Sequence, residues 1–378
     1  MKIIHIITGL NTGGAEMMLF RLLTHSDRNS FSPIVISLTS QGPVGERIAN
    51  LGVPTLTLNM ARGHFVPSQI TRLAGWIKAT QPDLVQTWMY HANLIGGITT
   101  RLACKAPVIW NVQNSDFHPV TTKTTTILTI RACATASWIL PARIISCSHV
   151  ARTFHERLGY DQHKFVVIPN GVDLDIFHPD PASRNALRNE LKLPSTVPLI
   201  GMAARYDPQK DHQNFLQAAA ILHRIRPDVH FVLCGNDIDP TNITLARMIE
   251  ANKLRGVVHL LGRRDDMPQV LGAFDIAGLS SAYGEAFPLT LIEAMACGIP
   301  CVVTNVGDSA EIVGNTGRIV PPRDPLALAA AWDNLLTLGL EGRAALGIQA
   351  RKRICELCSI NSVVKNYQDL YTSVIKPC

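Results

Sequence analysis

Long apolar runs are missing from this sequence of 378 residues. A membrane-spanning helix needs about 18 or more consecutive apolar residues. The nearest candidate, residues 127–147, is interrupted by Arg131 and Arg143. The first residues also lack the basic, apolar and small-residue segments of a secretory signal. These absences predict a cytoplasmic protein without a membrane-spanning helix.

Dense clusters of charge are also missing. Charged residues make up 17% of the chain, and they do not form the Lys/Arg runs with interleaved aromatic residues that are typical of nucleic-acid-binding proteins. The formal net charge is +6, and residues 1–180 carry 15 Lys and Arg against 10 Asp and Glu. A mildly basic half suits a phosphate group or an anionic membrane surface. We expect no nucleic-acid partner.

The nine cysteines do not form a metal-binding or disulfide pattern. Cys147, Cys234 and Cys301 lie in apolar stretches, which is typical of reduced, buried thiols. One Cys-x-x-Cys pair, Cys355 and Cys358, has no second pair, so two thiols on a helix surface explain it better than a zinc site.

The chain does contain a regular series of short apolar runs. Continuous runs of Val, Ile and Leu, spaced widely enough for a helix between them, predict parallel strands that are buried on both faces. Such strands are predicted at residues 2–8, 33–39, 83–88, 107–112, 143–148 and 165–168, and then at 199–204, 229–234, 257–261, 276–281, 301–304 and 318–320. Two such sets predict two doubly wound, Rossmann-like α/β domains, at residues 1–180 and 195–359.

A glycine-rich loop follows the first predicted strand and contains Gly13, Gly14 and Glu16. Glycines at a strand-to-helix turn let the backbone approach a phosphate, and the helix N-terminus supplies N–H donors. A Walker loop is excluded because no Gly-Lys-Ser/Thr follows. A dinucleotide fingerprint fits poorly, because the glycine spacing differs and the second strand ends without a carboxylate for a ribose. A turn that only needs small residues stays an alternative.

Two cations, Arg205 and Lys210, follow the first predicted strand of the second domain. Loops that leave buried parallel strands lie at the carboxyl edge of the sheet, where ligands bind. Arg can bind phosphate oxygens in a fork, and Lys adds a mobile point charge. Solvated surface charges are the alternative interpretation.

The most specific motif contains two carboxylates, Glu285 and Glu293. Glu285 is expected in the loop before a helix, because Pro288 suits a first helical turn. Glu293 then lies inside an otherwise apolar helix, where a carboxylate is costly without polar partners such as ligand hydroxyls. The helix N-terminus between them can hold a phosphate. An amphipathic helix with a capping acid is the alternative.

In combination these motifs identify a family resemblance. The Glu-x7-Glu motif, the Arg205/Lys210 pair, Gly13-Gly14 and the segments 170–173 and 262–265 occur in the same order as in the retaining glycosyltransferases of family four. The chain resembles that family over essentially its whole length. The resemblance implies the GT-B fold, in which two Rossmann-like domains face a central cleft. It also implies that a C-terminal helix, residues 360–378, packs back on the first domain.

The resemblance implies a role for each matching residue. Arg205 and Lys210 would neutralise the leaving nucleotide diphosphate. Glu285 would contact sugar hydroxyls beside the reacting carbon, and these three are the predicted catalytic residues. Glu293 would bind the ribose. The other predicted donor-binding residues are Gly13, Gly14, Gly262, Arg263, Ala286, Phe287, Pro288 and Leu289.

One position departs from the family pattern. Many relatives carry a histidine after the strand at residues 107–112, whereas this chain has Gln113 and Asn114. A contact to the donor sugar would then come from an amide or be absent. The predicted acceptor-side residues are Glu16, His91, Gln113 and Asn114. For His91, a hydrogen-bonded core histidine is an equal alternative.

The sequence therefore predicts a retaining, metal-independent hexosyl- or N-acetylhexosaminyltransferase that needs no cofactor. The donor would be a UDP- or GDP-sugar, and the acceptor a glycan or lipid-linked glycan in polysaccharide or glycolipid biosynthesis. Two Asp-x-Asp strings, at 173–175 and 237–239, are interpreted as turn formers rather than metal ligands. A sugar-nucleotide epimerase or hydrolase of the same fold, or a non-catalytic sugar-nucleotide-binding protein, stays open.

A membrane contact is the last expectation. Residues 121–145 mix Ile, Leu and Trp138 with Lys123, Arg131 and Arg143. Such a stretch suits peripheral binding to an anionic membrane at its inner face. Buried helices with a few surface cations would give the same composition.

Overall fold

The computed structural model describes residues 1–61, 67–116 and 123–375. The chain divides into two compact units. The first unit comprises Met1–Gly171 and Ile360–Cys378, and the second comprises Val172–Ser359. In the described part of the chain, no helix is long and apolar enough to cross a membrane.

The first unit contains a parallel sheet of seven strands in the order β3-β2-β1-β4-β5-β6-β7. The strands are β1 (Lys2–Ile7), β2 (Ser32–Ser37), β3 (Thr55–Thr57), β4 (Leu84–Trp88), β5 (Val108–Val112), β6 (Arg143–Ser146) and β7 (Phe165–Val167). The helices are α1 (Gly14–His25), α2 (Gly42–Asn50), α3 (Pro67–Thr80), α4 (Tyr90–Ala103), α5 (Thr124–Ala136), α6 (His149–Arg157) and, from the end of the chain, α15 (Ile360–Ile375). This alternation follows from the buried apolar strands, since parallel neighbours need a crossover helix.

The helix α15 packs beside α1 and covers polar side chains of the sheet. Tyr367 stacks on Trp88 with 6.1 Å between ring centroids, and its hydroxyl accepts a 2.8 Å hydrogen bond from Asn111 Nδ2. The Tyr371 hydroxyl donates to Gln86. These buried amides gain partners from α15, so the helix contributes hydrogen bonds as well as apolar area.

The second unit contains a parallel sheet of six strands in the order β10-β9-β8-β11-β12-β13. The strands are β8 (Leu199–Ala203), β9 (His230–Cys234), β10 (Val258–Leu260), β11 (Ile276–Leu279), β12 (Cys301–Thr304) and β13 (Arg318–Val320). The helices are α7 (Pro181–Glu190), α8 (His212–Ile225), α9 (Ile243–Ala251), α10 (Met267–Gly272), α11 (Leu289–Ala296), α12 (Ser309–Val313), α13 (Pro325–Thr337) and α14 (Gly339–Cys358). A core around Phe215, Phe231 and Trp332 fills the space between sheet and helices.

Both units are Rossmann-like, so the predicted fold class is confirmed. Each predicted strand is present, with ends that differ by one or two residues at most positions. The strand β3 was missed. It is a three-residue edge strand whose side chains are exposed or half-buried, so it has no continuous apolar run.

Candidate active site

The strand order of the second unit places its polar loops together. The order reverses between β8 and β11, which lie side by side although other strands separate them in sequence. Ligands of doubly wound sheets bind at the carboxyl ends of the strands where the order reverses. Arg205 and Lys210 follow β8, and Glu285 follows β11. Two motifs that are distant in sequence therefore reach one edge of the sheet.

The pairing of Lys210 with Glu285 is the central contact of this edge. Lys210 Nζ donates to Glu285 Oε1, and Ser281 Oγ donates to the same oxygen at 2.5 Å. The Glu285 side chain is 6% exposed and that of Lys210 is 13% exposed. Because water scarcely screens such a pair, each side chain helps to hold the other in position.

Hydrogen bonds between the two loops keep this pair in place. Ser280 Oγ donates to the carbonyl oxygen of Lys210 at 2.9 Å. The N–H of Ala282 donates to the carbonyl oxygen of Gln209 at 2.8 Å. Thr304, at the end of β12, donates to the carbonyl oxygen of Ser281 at 2.7 Å. The loops after β8, β11 and β12 thus form one hydrogen-bonded unit.

Arg205 lies on the same loop as Lys210 but in a different environment. Its side chain is half exposed. Its Nε lies 3.0 Å from Asp207 Oδ2, and Nη2 lies 3.2 Å from Gln209 Oε1. The guanidinium is therefore held by side chains of its own loop.

The helix α11 begins directly after the Glu285 loop. Pro288 occupies the N-cap position and makes no side-chain cap hydrogen bond, so the N-cap residue leaves the first N–H groups of α11 to other partners such as a ligand. Ala286 and Phe287 are buried beside it, and Glu293 is 6% exposed within it. Burial, together with the nearby Glu293 carboxylate, raises the pKa of the Cys297 thiol to about 12.

Gly262 and Arg263 follow β10 at the same edge of the sheet. Gly262 has φ +64° and donates its N–H to the carbonyl oxygen of Ile238 at 2.7 Å. Arg263 Nη2 lies 3.2 Å from Asp265 Oδ1. Gly262 and Arg263 therefore share an edge of the sheet with the Lys210–Glu285 pair.

In the first unit, the strand order reverses between β1 and β4. The Gly13-Gly14 turn and Glu16 follow β1, and His91 follows β4 in the first turn of α4. A Cβ atom on Gly14 would meet nothing within 4 Å, so the backbone is accessible there. Burial raises the pKa of Glu16 to about 7, and burial lowers the pKa of His91.

Gln113 and Asn114 lie just after β5 and bind protein groups. Gln113 Nε2 donates to Asn111 Oδ1 at 2.9 Å, and Asn111 in turn bonds the Tyr367 hydroxyl of α15. Burial raises the pKa of the Tyr90 hydroxyl, and a hydrogen bond with the Asn114 side chain opposes this shift. The Gln113 amide is thus oriented by a buried chain of hydrogen bonds that ends on the C-terminal helix.

Comparison with known proteins identifies the family. A family model described as Glycosyltransferase Family 4 matches residues 12–176. A second, described as Glycosyl transferases group 1, matches residues 183–353. This chain is a family-four glycosyltransferase. The predicted recognition is thereby confirmed.

Individual relatives agree with this assignment. The chain is 29% identical over 265 residues, 70% of this chain and 68% of the relative, to UDP-Gal:alpha-D-GlcNAc-diphosphoundecaprenol alpha-1,3-galactosyltransferase of Escherichia coli. It is 32% identical over 195 residues to D-inositol 3-phosphate glycosyltransferase of Corynebacterium urealyticum. This match spans 47% of the present chain and 45% of that relative, which is about half of its length. The crystal structure of Anabaena HepE in complex with UDP has the same fold, with a TM-score of 0.84, 22% identity and coverage of 99% of this chain and 100% of HepE.

Several residues of this glycosyltransferase site gave no signal in the sequence. Gly307 has φ +58°, and a Cβ atom there would lie 1.7 Å from the carbonyl oxygen of Glu285. Ser280 and Ser281 carry the hydrogen bonds described above. A lone glycine or a Ser-Ser pair is common in loops, so only the strand order shows what these residues contact.

Met89 is a further residue that the sequence did not indicate. It precedes α4 with φ +71° and ψ 162°, a region of backbone space that is essentially restricted to glycine. Its N–H donates to the carbonyl oxygen of Asn111 at 3.1 Å. The strained turn fixes the direction in which α4, and with it His91, leaves the sheet.

Both Asp-x-Asp strings of the glycosyltransferase form turns. Asp173 Oδ1 accepts the N–H of Asp175 at 3.0 Å and that of Ile176 at 3.2 Å. Asp239 Oδ1 accepts the N–H of Thr241 at 2.8 Å. Within the described residues, no group of three or more His, Cys, Asp or Glu side chains is arranged to hold a metal ion.

Proposed function

We propose that this glycosyltransferase moves a hexosyl or N-acetylhexosaminyl group from a UDP- or GDP-sugar to a glycan or lipid-linked glycan, with retention of configuration and without a metal ion. The observation that carries the proposal is the Lys210–Glu285 pair beside the N-terminus of α11, at the point where the strand order reverses. The Escherichia coli relative, whose name gives UDP-Gal as donor and a diphosphoundecaprenol-linked GlcNAc as acceptor, supports this choice of substrates.

The chemistry of the reaction explains why a cation is needed at this point. Cleavage of the anomeric C–O bond develops negative charge on the leaving phosphate and oxocarbenium character on the sugar. The Lys210 ammonium has three N–H donors, so it can bind a phosphate oxygen while it keeps Glu285. The uncapped N–H groups of α11 add further donors for the diphosphate. Such preorganised charge neutralises the leaving group without a metal ion.

Glu285 would act on the sugar. A carboxylate accepts several hydrogen bonds at once. Glu285 would therefore bind sugar hydroxyls while Lys210 and Ser281 keep its carboxylate in place. Glu293, buried one turn into α11, would bind the ribose hydroxyls. For retention, the acceptor would attack from the face that the diphosphate leaves, and the leaving phosphate would take the proton of the acceptor hydroxyl.

A thermal-shift screen against UDP-, GDP-, ADP- and TDP-sugars in the presence of EDTA tests donor binding. A ligand at 100 times its Kd should stabilise the protein by about 2.7 kcal/mol. Lys210→Ala should abolish the selective shift and lower kcat by about 10²- to 10³-fold, as loss of a charge-stabilising donor does. Lys352→Ala, which removes an exposed cation of α14, is the matched control and should shift like the wild type.

Product analysis tests the remaining parts of the proposal. NMR of the product should show the same anomeric configuration as the donor, and turnover should persist in EDTA. An inverted product, or activity that only a divalent metal restores, would contradict the mechanism. Release of free sugar or of an epimer at full rate without acceptor would favour the epimerase or hydrolase alternative.

The acceptor is proposed to be membrane-borne. The name of the Escherichia coli relative contains a polyprenyl-diphosphate acceptor, and the first half of the present chain is basic. An enzyme that uses such an acceptor would work at the inner face of the cell membrane, in peripheral contact with it.

A further inference from the structure

Two neighbouring helices of the first unit expose apolar side chains along one stripe each. Exposed residues of α4 recur at positions 98, 101 and 102, and Lys105 follows the helix; those of α5 recur at 128, 131, 132 and 135, and 138 and 139 lie in the loop after it. Within each helix this spacing places the residues on one side. The apolar members are Ile98 (43% exposed), Leu102 (78%), Leu128 (58%), Trp138 (58%) and Ile139 (72%).

Among the described residues, the cations of this face lack acidic partners. Arg101 lies on the stripe of α4 and Lys105 follows that helix, Arg131 lies on the stripe of α5, and Arg143 is exposed at the start of β6. In the described residues none of these four forms an ion pair with a carboxylate, although other surface arginines of the chain do. Between His91 and His155 the sequence contains a single acidic residue, Asp116. Asp161, the carboxylate beside the loop, is paired with Lys164 at 3.8 Å. The described residues of the face are therefore apolar and carry a net positive charge.

Hydrogen bonds join the two stripes into one surface. Arg101 Nη2 lies 3.2 Å from the carbonyl oxygen of Ile139, which links α4 to the loop after α5. Lys164 Nζ donates to the carbonyl oxygen of Trp138 at 2.7 Å, and Trp138 Nε1 donates to that of Gly159 at 3.1 Å. Trp138 and Ile139 are thus exposed on a braced loop, because three hydrogen bonds hold its backbone and its indole.

We propose that this α4–α5 face, formed by the exposed residues of α4, α5 and the loop 137–143, binds the surface of an anionic lipid bilayer. Apolar side chains that include a tryptophan, interspersed with Lys and Arg, are the composition of surfaces that lie in the membrane interface. Anionic headgroups supply the negative charge that the face lacks. A second copy of the chain fits poorly, since it would bring two cationic faces together.

The biological reason for the face rests on the proposed function, because a membrane-borne acceptor needs an enzyme at the bilayer. The helix α4 begins at the carboxyl edge of the sheet with Tyr90 and His91 and runs away from it, and Ile98, Arg101 and Leu102 are exposed in its second half. Leu102 therefore lies about 16 Å along the helix axis from the acceptor-side candidate His91. Binding at this face would keep the first unit at the bilayer that carries the acceptor.

Co-sedimentation with vesicles tests the proposal. The wild-type chain should bind vesicles of equal parts phosphatidylcholine and phosphatidylglycerol at least tenfold more strongly than phosphatidylcholine alone, and 0.5 M NaCl should weaken the binding. Lys105→Gln with Arg131→Gln should lower the partition coefficient by about fivefold for each cation removed. Leu102→Glu with Ile139→Glu should abolish sedimentation.

Matched controls come from the second unit. Leu326→Glu with Ile348→Glu changes two residues of similar exposure, 69% and 72%, and Arg224→Gln with Lys352→Gln removes two exposed cations. Both controls should sediment like the wild type. All variants should keep the thermal shift that UDP or a UDP-sugar gives the wild type, which shows that the fold is intact.

The possible results separate this inference from the proposed function. Equal binding to both vesicle types, or α4–α5 variants that sediment like the wild type, would overturn the inference even if every nucleotide sugar binds. A dimer in light scattering that Leu102→Glu with Ile139→Glu converts to a monomer would overturn it in favour of self-association. Selective binding to anionic vesicles with no response to any nucleotide sugar would uphold it and reject the proposed function.

Discussion

Lys210 and Arg205 lie in different surroundings, which predicts different contributions to turnover. Both are cations on the loop after β8, five residues apart. Lys210 is mostly buried and paired with Glu285, whereas Arg205 is half exposed and bound to Asp207 and Gln209 of its own loop. A fixed, poorly hydrated cation stabilises developing charge better than a hydrated one, because less reorganisation is needed during the reaction. We therefore expect Lys210 to contribute more to turnover than Arg205.

Glu16 is predicted to make the stability of the folded protein depend on pH. Burial raises the pKa of Glu16 to about 7 from the usual 4.5. The folded state therefore holds a proton that the unfolded chain loses, so this residue makes stability fall as pH rises from about 4.5 through 7. In Glu16→Gln this loss should disappear, and the variant should gain about 3 kcal/mol relative to the wild type between pH 5 and pH 8.

Urea unfolding at the two pH values measures this difference. Glu46→Gln, which changes an exposed glutamate of α2, is the control and should follow the wild type at both pH values. A stability difference between Glu16→Gln and the wild type that is the same at pH 5 and pH 8 would show that Glu16 ionises normally.

At the scale of elements, a buried charge cluster attaches α7 to the second sheet. Asp275, just before β11, accepts hydrogen bonds from Arg188 Nη2 at 2.6 Å, from Arg184 Nη2 at 2.8 Å and from the N–H of Leu199 at 2.8 Å. The Arg188 side chain is 1% exposed. One carboxylate thus connects α7 with the first residues of β8 and β11, the two strands whose loops carry Lys210 and Glu285.

Asp275→Ala should destabilise the second unit strongly. The change leaves the Arg188 charge buried without its partner, and loss of one member of a buried pair typically costs about 3–5 kcal/mol. Calorimetry or urea unfolding should show this loss. Asp265→Ala removes a carboxylate that is 86% exposed and paired with Arg263, so it should change stability by less than about 1 kcal/mol. Equal effects of the two substitutions would contradict the role given to Asp275.

For the whole molecule, buried histidines predict sensitivity to acid. Burial lowers the pKa of His5 to about 3 and the pKa values of His155 and His212 to about 4. Below pH 6.5 these histidines become protonated in the unfolded chain but stay neutral in the folded protein. The free energy of unfolding therefore decreases as pH falls from 6.5 towards 4. At pH 5 each histidine should cost about 2 kcal/mol relative to pH 7.

Urea unfolding at pH 5 and pH 7 checks the sign of this effect. His5 and His155 belong to the first unit and His212 to the second, so both units should weaken in acid. Glu16 acts in the opposite direction, but three histidines outweigh one carboxyl group. His212→Gln should flatten the dependence on pH in the second unit, and His178→Gln, at an exposed position, should leave it unchanged. A protein as stable at pH 5 as at pH 7 would contradict this prediction.

The repeated strand order explains why the site residues gather at sheet edges. Each unit begins with the order 3-2-1-4, counted from its own first strand, and in each the loops after its first and fourth strands adjoin. Parallel strands all end at the same edge, so every loop after a strand is brought there. Most predicted site residues lie in such loops, in both units.

The sequence by itself determined the strands, the crossover helices and the identity of the motif residues. Apolar runs such as Ile3–Ile7, which only His5 interrupts, are decisive, because a strand buried on both faces needs them. The strand β3 was missed because it is a short edge strand without such a run. Glu285 and Glu293 were recognised because their spacing is local and a buried carboxylate in an apolar helix needs a partner.

Only the tertiary structure decided which distant side chains meet. The contact of Lys210 with Glu285, the attachment of α7 through Asp275 and the hydrogen bond from Asn111 to Tyr367 of α15 each join residues that are more than 70 positions apart. Such contacts depend on the strand order, which local periodicity does not encode. Packing also decides which face of α4 and α5 stays uncovered. The sequence alone does not distinguish a buried apolar side chain of α4, such as Ile95, from an exposed one, such as Leu102.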